Sequence, residues 1–124
     1  MTELEGEDAK LAVLARAARG RAYTPHGQGR VEGAAVRDTD GRTYAAATVE
    51  HSEPGLTTSA LRGALTAAAS SGARRFEAAV VVTNVSAGCA EDVALLGEFG
   101  AGVPLILVDA DGTPVSTVIS AQTS

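Results

Sequence analysis

Apolar residues recur along this chain with two different periods, and each change of period marks an element. Leu11, Leu14, Ala15 and Ala18 fall at i, i+3, i+4 and i+7, which predicts an amphipathic helix over Glu7–Gly20 with Gly20 as its stop. Arg21–Arg30, with Pro25, Gly27 and Gly29, reads as a loop. Val31–Arg37 and Arg42–Val49 read as strands. Asp38-Thr39-Asp40-Gly41 between them reads as a hairpin turn, with Asp-Gly supplying positive φ. Pro54-Gly55 closes a second loop, Glu50–Gly55. Leu61, Ala64, Leu65 and Ala68 stripe a second helix running to about Ser70. Thr57, Thr58 or Ser59 can cap it, and Gly72 ends it.

The second half changes character. Phe76–Thr83 carries Ala78-Ala79-Val80-Val81-Val82, and Val103–Val108 is similar. Apolar runs without alternation predict strands covered on both faces. A third helix is expected to start near Ser86–Gly88 and end at Gly100, with Glu91 and Asp92 in its first turn, where they suit the helix dipole. Asp111-Gly112 turns the chain into a last strand, Pro114–Ile119, and a polar tail from Ser120 is expected to fray. The order α-β-β-α-β-α-β-β buries itself most simply as an α/β, three-layer α/β/α sandwich with one mixed five-stranded sheet. No internal repeat, linker or low-complexity segment interrupts residues 1–124, so one domain is expected, with polar ends at 1–6 and 120–124.

Composition narrows this picture. A chain of 124 residues can bury roughly 65–70% of its unfolded surface, enough for a core without disulfides or metal. Its aromatics are Tyr23, Tyr44, Phe76 and Phe99 alone, so the core must come from Ala, Val, Leu and Ile. Small side chains bury less area each, and oligomerisation is a reasonable supplement. The formal net charge is −5, and no basic run is coupled to aromatics, which argues against nucleic acid as a partner. No apolar run is long enough to span a bilayer. The start, Met1–Glu7, is acidic and polar, unlike a signal or transit peptide. Cys89 stands alone and can form no disulfide within the chain. A cytoplasmic protein is the expectation, and abundant Ala, Gly and Arg hint at a GC-rich bacterial source.

The candidate chemistry comes from a resemblance. Ala22-Tyr23-Thr24-Pro25-His26, Val31–Val36 followed by the Asp40-Gly41 turn, Thr48-Val49-Glu50-His51, Ala60-Leu61-Arg62-Gly63-Ala64 and Ser86–Val93 occur in this order over roughly Glu7–Ile119. In order and spacing they resemble the motifs of the cytidine deaminase family, with one residue inserted over the Val31–Tyr44 stretch. The resemblance implies a cytidine deaminase-like fold, a zinc ion held at two helix starts, a glutamate that shuttles protons, and dimers or tetramers. Residue by residue, it places the three metal ligands at Ser59, Ala87 and Ala90 and the proton shuttle at Leu61. A serine hydroxyl is a poor zinc ligand and alanine is none. Without metal, nothing lowers the pKa of the attacking water; without the glutamate, nothing moves its protons. No zinc or other cofactor is therefore expected, and deamination is expected to be lost. The resemblance also assigns Thr48 and Glu50 to a ribose subsite, with Thr48 lacking the family's amide. It keeps an arginine at Arg62, which could bind an anion at a helix start or form an ordinary salt bridge.

Other candidates are weaker. His51-Ser52-Glu53 spells the deaminase tripeptide, but Pro54 pushes Glu53 away from helical geometry, and no Cys-x-x-Cys follows. Ser59 lacks a nucleophile elbow and suits a helix cap better. Cys89 lies near a helix start, where a thiol can be activated, yet falls between the ligand slots. Three functions stay open. One is a pseudoenzyme that binds a nucleoside or other small molecule, or acts in regulation or structure. Another is a metal-independent enzyme reusing the cleft through Ser59, Glu50, His51 and Arg62. The third is a divergent deaminase with unusual ligands.

Overall fold

Two hairpins joined through one parallel seam build the sheet. The computed structural model describes Leu4 and residues 6–28, 30–84 and 89–121. Among these lie helices α1 (Gly6–Arg19), α2 (Ala60–Ser70) and α3 (Ala90–Gly97) and strands β1 (Gly33–Asp38), β2 (Thr43–Ala47), β3 (Phe76–Val82), β4 (Pro104–Val108) and β5 (Pro114–Ile119). The strand order is β2-β1-β3-β4-β5. Only β3 and β4 pair in parallel, which requires the α3 crossover; the other pairs are antiparallel. The expected mixed five-stranded α/β sandwich is the architecture found.

The two tight turns share one design. Asp38 Oδ1 accepts from the N–H groups of Asp40 and Arg42, at 3.0 and 2.9 Å, and Gly41 takes φ 86°. Asp109 Oδ1 accepts from Asp111 and Thr113, at 2.9 and 3.0 Å, and Gly112 takes φ 90°. Each aspartate replaces missing ladder bonds, and each glycine supplies the conformation a side chain would resist.

The sheet has one core on each face. Leu11 and Ala15 of α1 pack on Ala35, Ala78, Val80, Val82, Ile106 and Val108. On the other face Leu61, Ala64 and Leu65 of α2 and Leu96 of α3 pack on Ala34, Val36, Ala79, Val81, Leu105 and Leu107. Consecutive residues of β3 thus enter opposite cores, which explains its unbroken apolar run. Phe76 and Phe99 close one end edge-to-face, with centroids 5.1 Å apart. Small residues let α1 approach closely: a Cβ on Gly33 would lie 2.1 Å from the Ala15 carbonyl oxygen.

Several expectations need correction. β2 stops at Ala47, because Val49 leaves the ladder to bridge Tyr23 and Thr58. α3 ends at Gly97, not Gly100; Phe99 and Gly100 bond back to the third residue before them, a tightened last turn. Its expected start, Ser86–Gly88, lies outside the described residues. Leu4, within the stretch read as a polar end, packs against the α1 core. Ser120 does not fray: it is buried, its hydroxyl donates to the Gly100 carbonyl at 2.8 Å, and it accepts from Val103 N–H at 2.9 Å.

Candidate functional site

The starts of α2 and α3 lie on one face of the sheet, and the site is built where they meet the end of β3. Ser59 has an extended backbone and caps α2, its Oγ accepting from Arg62 N–H at 3.1 Å. The same hydroxyl donates to Asp92 Oδ1 at 2.7 Å. Asp92 belongs to the first turn of α3 but is only 7% exposed. It ties one helix start to the other. Cys89 takes the cap position of α3 without a side-chain cap bond.

A second buried acid stands behind the first. Glu32, immediately before β1, is 4% exposed, and its Oε2 accepts from Thr83 Oγ1 at 2.6 Å. Arg30 approaches the same oxygen at 3.9 Å from a half-exposed position, a weak pairing in solvent. Between the acids is a cavity of about 10 Å3, lined by Arg30, Glu32, Thr83, Cys89 and Asp92 against Val81, Leu105 and Leu107.

Burial pushes the Glu32 carboxyl up from its ordinary value, opposed by the Thr83 hydroxyl and the Arg30 charge and reinforced by the negative charge of Asp92. Burial likewise pushes Asp92 up. The Ser59 hydroxyl, Arg30 and Arg62 oppose that rise, and Glu91 adds to it.

Outside this cluster an open cleft of about 410 Å3 is lined by Thr57, Ser59, Arg62, Cys89, Glu91, Asp92, Ala94, Leu95 and Glu98. Of the three residues expected to bind a ligand, Arg62 lines it and is exposed. Thr48 and Glu50 do not join it. Thr48 Oγ1 accepts from Glu32 N–H at 3.2 Å and lies 3.4 Å from the Glu32 carbonyl oxygen. Glu50, 1% exposed, accepts from the N–H groups of His26 and Gln28, at 2.5 and 2.7 Å, and so clasps the Pro25–Gln28 loop. His51, Ser52 and Glu53 lie exposed in a loop ahead of a short 3₁₀ turn, Pro54–Leu56.

A family model described as cytidine deaminase-like matches residues 4–112. The chain belongs to the cytidine deaminase-like family. Among solved structures, the cytidine deaminase of Burkholderia pseudomallei superposes with TM-score 0.81 at 29% identity, over 90% of this chain and 91% of that one. Cytidine deaminase from Mycobacterium tuberculosis gives 0.73 at 28% identity, over 82% and 85%. That of Mycobacterium leprae gives 0.75 at 23%, over 94% and 95%, a likeness of fold. No curated protein matches the chain.

Among its described residues, this cytidine deaminase-like chain presents no donor set for a zinc ion. Ser59 Oγ is already engaged by Asp92 and by the Arg62 amide, and Ala90 offers no donor atom. Leu61, in the proton-shuttle slot, is fully buried in the α2 core. Ala87 lies outside the described residues. Among the described residues no group of three or more His, Cys, Asp or Glu side chains is placed to hold a metal. Sequence reasoning passed over Glu32, Thr83 and Asp92. In the sequence Glu32 falls simply within the expected strand Val31–Arg37, and Asp92 suits a helix dipole. An acid beside an apolar strand was the one available signal.

Proposed function

We propose that this chain is a cytidine deaminase-like pseudoenzyme: a zinc-independent, non-deaminating member of the family that serves as a small-molecule-binding or structural module. One observation carries the reading. The Ser59 hydroxyl, at a metal slot, is bonded on both sides inside the protein, donating to Asp92 and accepting from Arg62 N–H. A helix-to-helix hydrogen bond thus engages the side chain at this slot. Leu61, two residues on, has no ionisable group with which to shuttle a proton.

The ligand surface under this proposal is the 410 Å3 cleft, where Arg62 can meet an anionic or hydroxyl-rich group. A nucleoside or nucleoside phosphate fits its size and mixed lining. Glu50 is a clasp for the Pro25–Gln28 loop and would reach a sugar only if that loop opened. A homo-oligomer, dimer or tetramer, accords with the exposed Val13, Leu56 and Ile119.

Metal analysis of untagged protein with a cytidine absorbance assay tests the reading. It expects zinc far below one per chain and no loss of cytidine absorbance. About one zinc per chain with deamination overturns it. A thermal-shift screen with nucleosides and phosphates tests the cleft: stabilisation is expected to vanish in Arg62→Ala and to survive Glu50→Gln.

A further inference from the structure

At the end of the sheet away from Ser59, where β3 begins, a hollow rich in hydrogen-bond donors adjoins an apolar one. The first is a cavity of about 580 Å3 among Thr39 of the first hairpin turn, Arg74 and Arg75 ahead of β3, Phe76, Phe99, and Ala101 of the loop before β4. Arg74 Nη1 donates to the Ala69 and Ala73 carbonyls, at 2.7 and 2.8 Å, which pins this cation across the end of α2. Arg75 is exposed and pairs with no acid among the described residues. The Ala101 N–H and the Thr39 hydroxyl likewise meet no acceptor among them. Glu98 is the one acid lining this cavity, so two guanidinium groups against one carboxylate leave a single positive charge in excess. That balance suits a monoanion better than a phosphate dianion, and the planar arginine fork matches a carboxylate. The second cavity, of about 480 Å3, shares Arg74 and Phe99 with the first and continues between α2 and α3 along Leu65, Ala69 and Leu95. Ala69, Leu95 and Phe99 are half-buried, which leaves apolar surface open to a ligand.

We infer that these joined cavities bind a medium-chain carboxylate, its head at Arg75 and Arg74 and its alkyl chain along Ala69, Leu95 and Phe99. Arg75 supplies charge-assisted hydrogen bonds and Arg74 a fixed positive charge, with the Ala101 N–H and the Thr39 hydroxyl as further donors to the head. The alkyl chain covers apolar surface that water wets in the free protein. No bond is made or broken; the site binds and does not react. Arg62 stands in the first turn of α2 and Arg74 beyond its last, so this site is separate from the Ser59–Arg62 cleft. It goes beyond the function proposed above and does not depend on it.

Amide NMR of the full chain titrated with sodium octanoate tests it. Saturable shifts are expected at Thr39, Arg75, Leu95, Phe99 and Ala101. Butanoate is expected to bind at least about tenfold more weakly, because each fully buried methylene contributes about fourfold in affinity. Octanol, which lacks the charge, and inorganic phosphate, which lacks the chain, are expected to leave these amides unmoved at the same concentration. Arg75→Gln is expected to weaken octanoate at least about fivefold, whereas Arg62→Ala leaves its affinity unchanged. Shifts that do not saturate, that scatter over the surface or that centre on Arg62 and Cys89 overturn the inference. So does octanol binding as tightly as octanoate, which removes the head site, or butanoate doing so, which removes the alkyl groove. An Arg75→Gln variant that binds octanoate like the wild type overturns it as well.

Discussion

Glu50 and the Glu32–Asp92 pair are buried acids built on opposite plans. Glu50 is met by two backbone amides from one loop, so its charge is satisfied by peptide groups fixed in place. Among the described residues Glu32 and Asp92 each receive one hydroxyl, and both line one small cavity. The first arrangement ties a loop to the protein through a charge. The second tolerates charge poorly and joins two elements through its hydrogen bonds. The lesson is that burial of an acid does not define its role; the number and kind of its donors do.

The largest test of this contrast is Glu50→Ala. It leaves the His26 and Gln28 amides without their acceptor, and the expected loss is about 3 kcal/mol in urea unfolding, since hydrogen bonds to charged groups contribute roughly 1.5–3 kcal/mol each. Removing a charge from the other site should not cost as much: Glu32→Gln keeps an acceptor for Thr83 and is expected to be neutral or stabilising at pH 8. A comparable loss in both variants would erase the distinction. Ser59→Ala removes a helix cap and a hydroxyl donor to Asp92, with an expected loss of about 1–2 kcal/mol at pH 7.

Among the variants expected to lose stability, Thr83→Val loses least, about 1 kcal/mol, and its effect is the most specific. The Thr83 hydroxyl favours the charged form of Glu32, so its removal raises the carboxyl further. An acid whose folded value is raised contributes most below the unfolded value, and its contribution falls as pH rises through the folded value. The stability of Thr83→Val is therefore expected to drop more steeply than wild type between pH 5 and 8. Parallel pH curves would show that the hydroxyl does not govern Glu32.

The fold was legible because its signals are local. Helix stripes, two Asp-Gly turns and the apolar runs of β3 and β4 each act within a few residues, and the α2 cap is narrowed to Thr57, Thr58 or Ser59, of which the structure uses Ser59. The site was legible only as substitutions at Ser59, Leu61 and Ala90. The contacts made around these slots were hidden, because Thr83 meets Glu32 across 51 residues and Asp92 meets Ser59 across 33. No periodicity carries such pairings. The clasp made by Glu50 was hidden for a related reason: its partners His26 and Gln28 offer backbone amides, which every residue but proline possesses. Ser120 looked like a tail because hydroxyls are common in tails, while its two partners lie 17 and 20 residues earlier.

The parallel seam between β3 and β4 also sets an order of assembly. The β1–β2 and β4–β5 hairpins can zip from their own aspartate-anchored turns, whereas β3 can meet β4 only after the intervening chain has wound through α3. Closing that crossover is the entropically slow event, and it brings Thr83 at the end of β3 together with Asp92 at the head of α3. The buried acid cluster is thus a late product of folding, and its hydrogen bonds should weigh on the rate of unfolding far more than on the rate at which the chain first collapses.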